Sequence, residues 1–195
     1  MIFGSDLDGV IFDIYPQIFA RLHLLTGKKI PARNVYDMEY AFKIPREKII
    51  EAVDGVIQEN EFPAILGVEL IYKILKFTNE NKIHFISARP EHNFKAAKIK
   101  LNKIFDKNKI NYSLTLAERS NLNPDVYNPS KVNSIKKMKI DYFVEDCPFQ
   151  AESIAKSTNC NVLLFDTPYN QDLAHNNIIR VYSWKNIYKI LKKNI

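Results

Sequence analysis

The sequence predicts an α/β protein: a doubly wound parallel sheet with a Rossmann-like core and a small helical cap inserted after the first strand. Three observations predict it. Short apolar runs of strand length alternate with amphipathic stretches of helix length, which implies parallel pairing through crossover helices. The polar residues with chemical potential fall just beyond the carboxyl ends of those runs, where parallel sheets bind ligands. One stretch, residues 15–67, breaks the alternation and carries helical periodicity with no strand signal.

Taken in order, Ile2, Phe3 and Leu7 read as a short buried strand that ends in Ser5-Asp6-Leu7-Asp8-Gly9. The helical insertion follows, with Ile18, Leu22 and Leu25 on one face and Ile49, Val53 and Val56 on another. A helix carrying Val68, Ile71, Tyr72 and Leu75 closes it. The second strand is Ile83 to Ser87, followed by a helix with Phe94, Ala97, Leu101 and Ile104 at a 3.6-residue spacing. Strands are then expected at Tyr112 to Leu116, Asp141 to Val144, Val162 to Phe165 and Ile178 to Tyr182. Helices are expected from near Ser130, from near Pro148, and from Trp184 to Leu191. Asn121 to Pro129, rich in Asn and Pro, reads as a loop. The expected division is a core of residues 1–14 plus 68–195 and a cap of residues 15–67.

Composition removes several classes. The 195 residues are 46% hydrophobic and 12% aromatic with only five glycines, enough for a core and unlike a collagenous or linker-like chain. No apolar run reaches the length of a membrane span. The charge is +6, from 28 basic and 22 acidic residues. The lysines are scattered along amphipathic stretches, which reads as solvated helix faces; a nucleic-acid surface would concentrate Lys and Arg with interleaved aromatics. Cys147 and Cys160 form neither a CxxC pair nor a secretory framework, and no signal-peptide pattern opens the chain, so the expected location is the cytoplasm. The four histidines, His23, His84, His92 and His175, show no metal-ligand spacing.

Asp6 and Asp8 lie two apart at a strand end, so both lean to one side while Gly9 allows a sharp turn. Taken alone they also read as a pair of solvated turn aspartates. Phe85-Ile86-Ser87-Ala88-Arg89 repeats the design, an apolar strand ending in a hydroxyl and exposed N–H groups suited to phosphate oxygens. Lys131 opens a helix; by itself it is one exposed lysine among many. Tyr142-Phe143-Val144 then runs into a second acidic pair, Glu145-Asp146, which alone reads equally as an acidic cap before Pro148.

In the order Asp-x-Asp-Gly, Ser, Lys, acidic pair, each after a strand, these segments resemble the four motifs of the haloacid dehalogenase superfamily of phosphohydrolases. Asp6-Leu7-Asp8-Gly9-Val10-Ile11-Phe12-Asp13, Ile86-Ser87-Ala88-Arg89-Pro90 and Phe165-Asp166-Thr167-Pro168-Tyr169-Asn170 look most like its 5'-nucleotidase branch, which includes the deoxyribonucleotidases. The resemblance implies Asp6 as nucleophile, Asp8 as general acid and then base, and Lys131 as the cation that offsets their charge. It implies phosphate binding by Ser87 and the N–H groups of Ala88 and Arg89, and Mg2+ held by Asp6, Asp146 and the Asp8 carbonyl, with Glu145 in the first or second layer around the metal. Many relatives carry two aspartates where this chain has Glu145 and Asp146.

The implied partner is a small phosphomonoester, a nucleoside monophosphate in that branch and otherwise a metabolite such as a sugar phosphate. Phe19, Tyr36, Tyr40 and Phe42 are candidates either to stack on a base or to form cap core. A non-catalytic phospho-acceptor domain shares the acidic cluster and lysine, but Asp8 is placed to hydrolyse what such a domain retains. A nucleic-acid-binding protein using the +6 charge is the remaining alternative.

Overall fold

The computed structural model describes residues 1–106, 110–117 and 130–193. The expected loop at 121–129 lies outside them. Six strands form one sheet: β1 (Phe3–Ser5), β2 (Lys82–Ser87), β3 (Asn111–Leu116), β4 (Tyr142–Glu145), β5 (Asn161–Phe165) and β6 (Ile178–Val181). Their order is β3-β2-β1-β4-β5-β6 and every pair is parallel. All six expected strands are present, with ends differing by one or two residues.

Side-chain alternation divides the interior into two layers. On one face Phe3, Ile83, Phe85, Val144, Leu163 and Phe165 join the larger apolar cluster. On the other, Ile86, Phe143, Val162 and Leu164 join the smaller one. Helices cover both, which is why the strands read as continuous apolar runs. The first face takes α4 (Ile71–Leu75), α5 (Phe94–Phe105) and α8 (Trp184–Lys193). The second takes α6 (Val132–Met138) and α7 (Pro148–Ser157). Trp184 also donates its indole N–H to the Val10 carbonyl at 3.0 Å, tying the last helix to the loop after β1.

Between β1 and α4 the chain forms α1 (Tyr15–Thr26), α2 (Met38–Phe42) and α3 (Arg46–Glu59). Phe19 and Phe42 meet edge to face at 5.5 Å, and with Leu22, Ala52 and Val56 they belong to the same buried cluster as the first face of the sheet. These two aromatics are core, whereas Tyr40 is exposed. Several details differ from the sequence reading. Leu25 and Tyr72 are exposed; Ala52 and Ile74 hold buried positions on their helices. The stretch from Val68 to Leu70 is a short 3-10 turn before α4. An isolated antiparallel bridge joins Phe12 to Ala64, so the insertion does contain one strand-like contact. Lys131 is the residue before α6 rather than its first residue.

Candidate active site

The strand order reverses direction between β1 and β4, and this is where parallel α/β sheets open a crevice at their carboxyl ends. Asp6 follows β1 and Glu145-Asp146 end β4, so the register that pairs Ser5 with Val144 sets the two acidic segments side by side. The Asp6 N–H continues the pairing by donating to the Val144 carbonyl at 2.9 Å. One carboxylate oxygen each from Asp6, Glu145 and Asp146 lies within 4.8 Å of the others.

Lys131 is 1% exposed and reaches into this cluster from the chain before α6. Its Nζ lies 2.9 Å from Asp6 Oδ1 and 2.7 Å from Glu145 Oε2. Burial opposes the ammonium charge, but Asp6 and Glu145 hold it, and the net shift of the lysine is upward. The remaining Glu145 oxygen, Oε1, accepts the N–H groups of Asp146 and Cys147, both at 3.1 Å. Both oxygens of this fully buried acid are thus engaged by the protein. These bonds tie Glu145 to Lys131 and to the turn into α7 while it remains a member of the acidic cluster.

Three buried carboxylates facing one buried ammonium leave an excess of two negative charges when all are ionised. The titration directions reflect it. Burial pushes Asp6 up to about 7 against the pull of Lys131, with Glu145 and Asp8 adding to the rise. Burial also raises Asp146, to about 6, with Asp6 adding and Tyr169 opposing. An all-oxygen donor set with this excess fits a hard divalent cation such as Mg2+.

Asp8 lies away from Lys131 and is gripped by Arg89, whose Nε donates to Oδ2 at 2.7 Å while Nη2 donates to Oδ1. The Arg89 side chain is buried over the rings of Phe12 and Phe62, 5.2 and 5.7 Å from their centroids, and its Nη1 has no hydrogen-bond partner among the described residues. Sequence spacing alone does not reveal this pairing of Arg89 with Asp8. Ser87 is buried at the end of β2, and its Oγ accepts the Arg89 N–H at 3.2 Å. Ala88 lies between them, half-buried. The turn that brings Asp8 round depends on Gly9 at φ +78, where an added Cβ would sit 2.0 Å from Asp146 Oδ2.

The residues that sequence reasoning underweighted are tyrosines. Tyr15 donates to Asp146 Oδ2 at 3.1 Å, and Tyr169 donates to the same oxygen. Tyr36 accepts the Cys147 thiol at 2.9 Å. Burial and the neighbouring Glu145 push that thiol up to about 12, so it remains protonated. Asn170 is both turn and tether: its Nδ2 donates to the Asp146 and Phe165 carbonyls at 3.0 and 2.8 Å. The Tyr169-Asn170 segment was visible in sequence; Tyr15 and Arg33 had no periodic or motif signal to mark them.

Among solved structures, the chain is similar to a conserved haloacid dehalogenase-like protein of unknown function, ATU0790, from Agrobacterium tumefaciens str. C58. The TM-score is 0.62 at 15% identity, covering 99% of this chain and 98% of that one. The chain therefore has the haloacid dehalogenase fold. Among curated proteins it is similar to "Nucleotidase CA_C3379" of Clostridium acetobutylicum, 25% identical over 96% of this chain and 92% of that protein. It is also 41% identical over 64 residues to "Putative nucleotidase YqfW" of Bacillus subtilis (strain 168). That match spans only a third of either chain. No family model matches the chain.

Proposed function

We propose that the chain is a Mg2+-dependent phosphomonoesterase acting on nucleoside monophosphates. The observation that carries the reading is the buried Asp6-Glu145-Asp146 cluster around Lys131, with Asp8 two residues beyond Asp6. The names of relatives aligned over nearly the whole chain support the nucleotide. Asp6 and Asp146, with the Asp8 carbonyl, would hold the cation, which supplies charge neutralisation where a carboxylate must approach a phosphate dianion.

In this reading an Asp6 oxygen attacks phosphorus and the ester oxygen leaves with a proton from Asp8. Water then attacks the aspartyl-phosphate, and Asp8 takes up the proton. Lys131 has two of its three N–H groups on Asp6 and Glu145, and the third is available to a phosphate oxygen. Ser87 and the N–H groups of Ala88 and Arg89 would complete the phosphate cradle, the Arg89 N–H exchanging its bond to Ser87 Oγ for one to substrate. Arg89 Nη1 is a further donor without a hydrogen-bond partner among the described residues. A carboxyl oxygen that carries a proton is a weaker acceptor, so protonation of Asp8 would loosen its paired bonds with Arg89.

Residues 15–67 would be the cap over a core of residues 1–14 plus 68–195, and the enzyme would work in the cytoplasm. Among the described residues no helix is long and apolar enough to cross a membrane. The test is phosphate release from ribo- and deoxyribonucleoside monophosphates and sugar phosphates, with Mg2+ and with EDTA, using Asp6→Asn as blank. Mg2+-dependent release from nucleotides that Asp6→Asn abolishes is expected. Release from sugar phosphates alone would keep the chemistry and replace the substrate; no release from any would overturn the reading.

A further inference from the structure

We infer that Tyr15 and Tyr169 are positioning residues for the cation site: together they saturate one oxygen of Asp146 so that the other is presented to the metal. The inference rests on the metal-dependent reading above and extends it to residues outside the four motifs.

The argument begins with hydrogen-bond capacity. A carboxylate oxygen has about two acceptor directions. Asp146 Oδ2 accepts the phenol hydroxyls of Tyr15 and Tyr169 and so has none left. It also lies against the bare Gly9 Cα face, the side occupied by protein. Among the described residues no hydrogen bond reaches Oδ1, which leaves it with open acceptor directions, and one of the two Asp146 oxygens lies within 4.8 Å of oxygens of Asp6 and Glu145.

The donors are themselves fixed. The Tyr15 and Tyr169 rings meet at 6.3 Å, Tyr36 lies 5.6 Å from Tyr169, and Phe149 lies 5.5 Å from Tyr36. Arg33 covers the outer side, its guanidinium carbon 5.3 Å from the Tyr15 ring centre, and is anchored to Asp13 at 2.9 Å. A phenol keeps its proton at neutral pH, so each hydroxyl has one hydrogen to donate. Their origins add meaning. Tyr15 opens α1 of the helical insertion and Tyr169 lies in the turn after β5, so two chain segments outside β4 set the rotamer of its last acid. Hydrogen-bond partners behind metal ligands characteristically govern affinity by removing rotational freedom from the ligand.

The test measures Mn2+ binding directly, from the loss of the free-ion electron paramagnetic resonance signal. Wild type, Tyr15→Phe, Tyr169→Phe, the double variant and Asp146→Asn are compared after circular dichroism has established that each is folded. Phenylalanine keeps the ring contacts and deletes only the hydroxyl. The expected result is a Kd raised about tenfold in the double variant, smaller rises in the singles, and phosphatase activity that recovers more at high Mg2+ than at low. A packing role alone would alter thermal stability without this split between metal affinity and turnover. If Asp146→Asn abolishes binding while the double Phe variant binds Mn2+ as wild type does, the positioning role is overturned and the functional reading stands. Binding absent from wild type, or unaffected by Asp146→Asn, overturns both.

Discussion

The two acidic pairs, Asp6 with Asp8 after β1 and Glu145 with Asp146 at the end of β4, look alike in sequence and differ in how the fold compensates them. In each pair one acid shares Lys131: Asp6 in the first and Glu145 in the second. The other acid in each pair is held by a different chemistry. Asp8, partly exposed, has a charged partner in Arg89, whereas among the described residues the buried Asp146 carboxylate accepts its hydrogen bonds from the neutral phenols of Tyr15 and Tyr169, with Arg33 and Lys131 acting on it without an ion pair. The contrast teaches that Asp8 has a cation of its own, whereas Asp6, Glu145 and Asp146 together carry more negative charge than Lys131 offsets. The unmatched charge marks the place for a cation.

The strongest way to break this comparison is to remove the ion common to both pairs. Lys131→Met leaves Asp6 and Glu145 buried without a counter-ion, a change that costs about 3–5 kcal/mol when one partner of a buried pair is deleted. For a chain of this size that corresponds to a fall in Tm of roughly 10 °C. Thermal unfolding in EDTA checks it at pH 8, where the acids are ionised. The loss should shrink at pH 5, because protonated acids need no ammonium. A Tm within about 2 °C of wild type at pH 8 would mean that Lys131 does not balance the two pairs.

A second, smaller effect separates the pairs by pressing on Asp146 and on Tyr15, which holds it. Gly9 and Gly27 both have positive φ, +78 and +72, but an added methyl at Gly27 meets nothing within 4 Å, while at Gly9 it collides with Asp146. Each alanine variant should lose about 1–2 kcal/mol from left-handed backbone strain. Only Gly9→Ala should also weaken Mn2+ binding, since its Cβ displaces the oxygen held by the tyrosines. Equal metal affinity in the two variants would show that the Gly9 contact does not set the acid's position.

Most of the fold was legible because period and length survive in a sequence. Both layers of helices follow from apolar runs such as Ile83-His84-Phe85-Ile86 and from the spacing of Phe94, Ala97, Leu101 and Ile104, although Phe105 takes the buried place at the end of that helix. The acidic residues were legible because strand ends announce themselves, and Lys131 because it precedes a helix leading into the last acidic strand. What was not legible depended on long-range side-chain direction. Nothing local tells that Arg89 turns toward Asp8, 81 residues away, or that Tyr15 and Tyr169 converge on one oxygen from segments 131 and 23 residues from Asp146. Leu25 and Tyr72 failed for the related reason that periodicity states a face without saying how much of it a neighbour covers.

The last effect, read as a trend with pH rather than as a single loss, tests whether the charge excess reaches Asp6 despite its lysine. Burial raises the Asp6 carboxyl from 3.8 to about 7 in the metal-free protein. A carboxyl whose folded value is raised favours folding while protonated, so its contribution is complete below about pH 4 and is lost as pH rises through 7. His84, lowered by burial, works the other way, favouring folding as pH rises through its ordinary 6.5. Subtracting the Tm of Asp6→Asn from that of wild type in EDTA cancels the histidine term, since His84 is present in both chains. The difference should fall between pH 5 and pH 8, and saturating Mg2+ should reverse the trend by favouring the ionised Asp6 that wild type alone possesses. A difference independent of pH without metal would show that Lys131 neutralises Asp6 as completely as Arg89 does Asp8, and the asymmetry between the two acidic pairs would vanish.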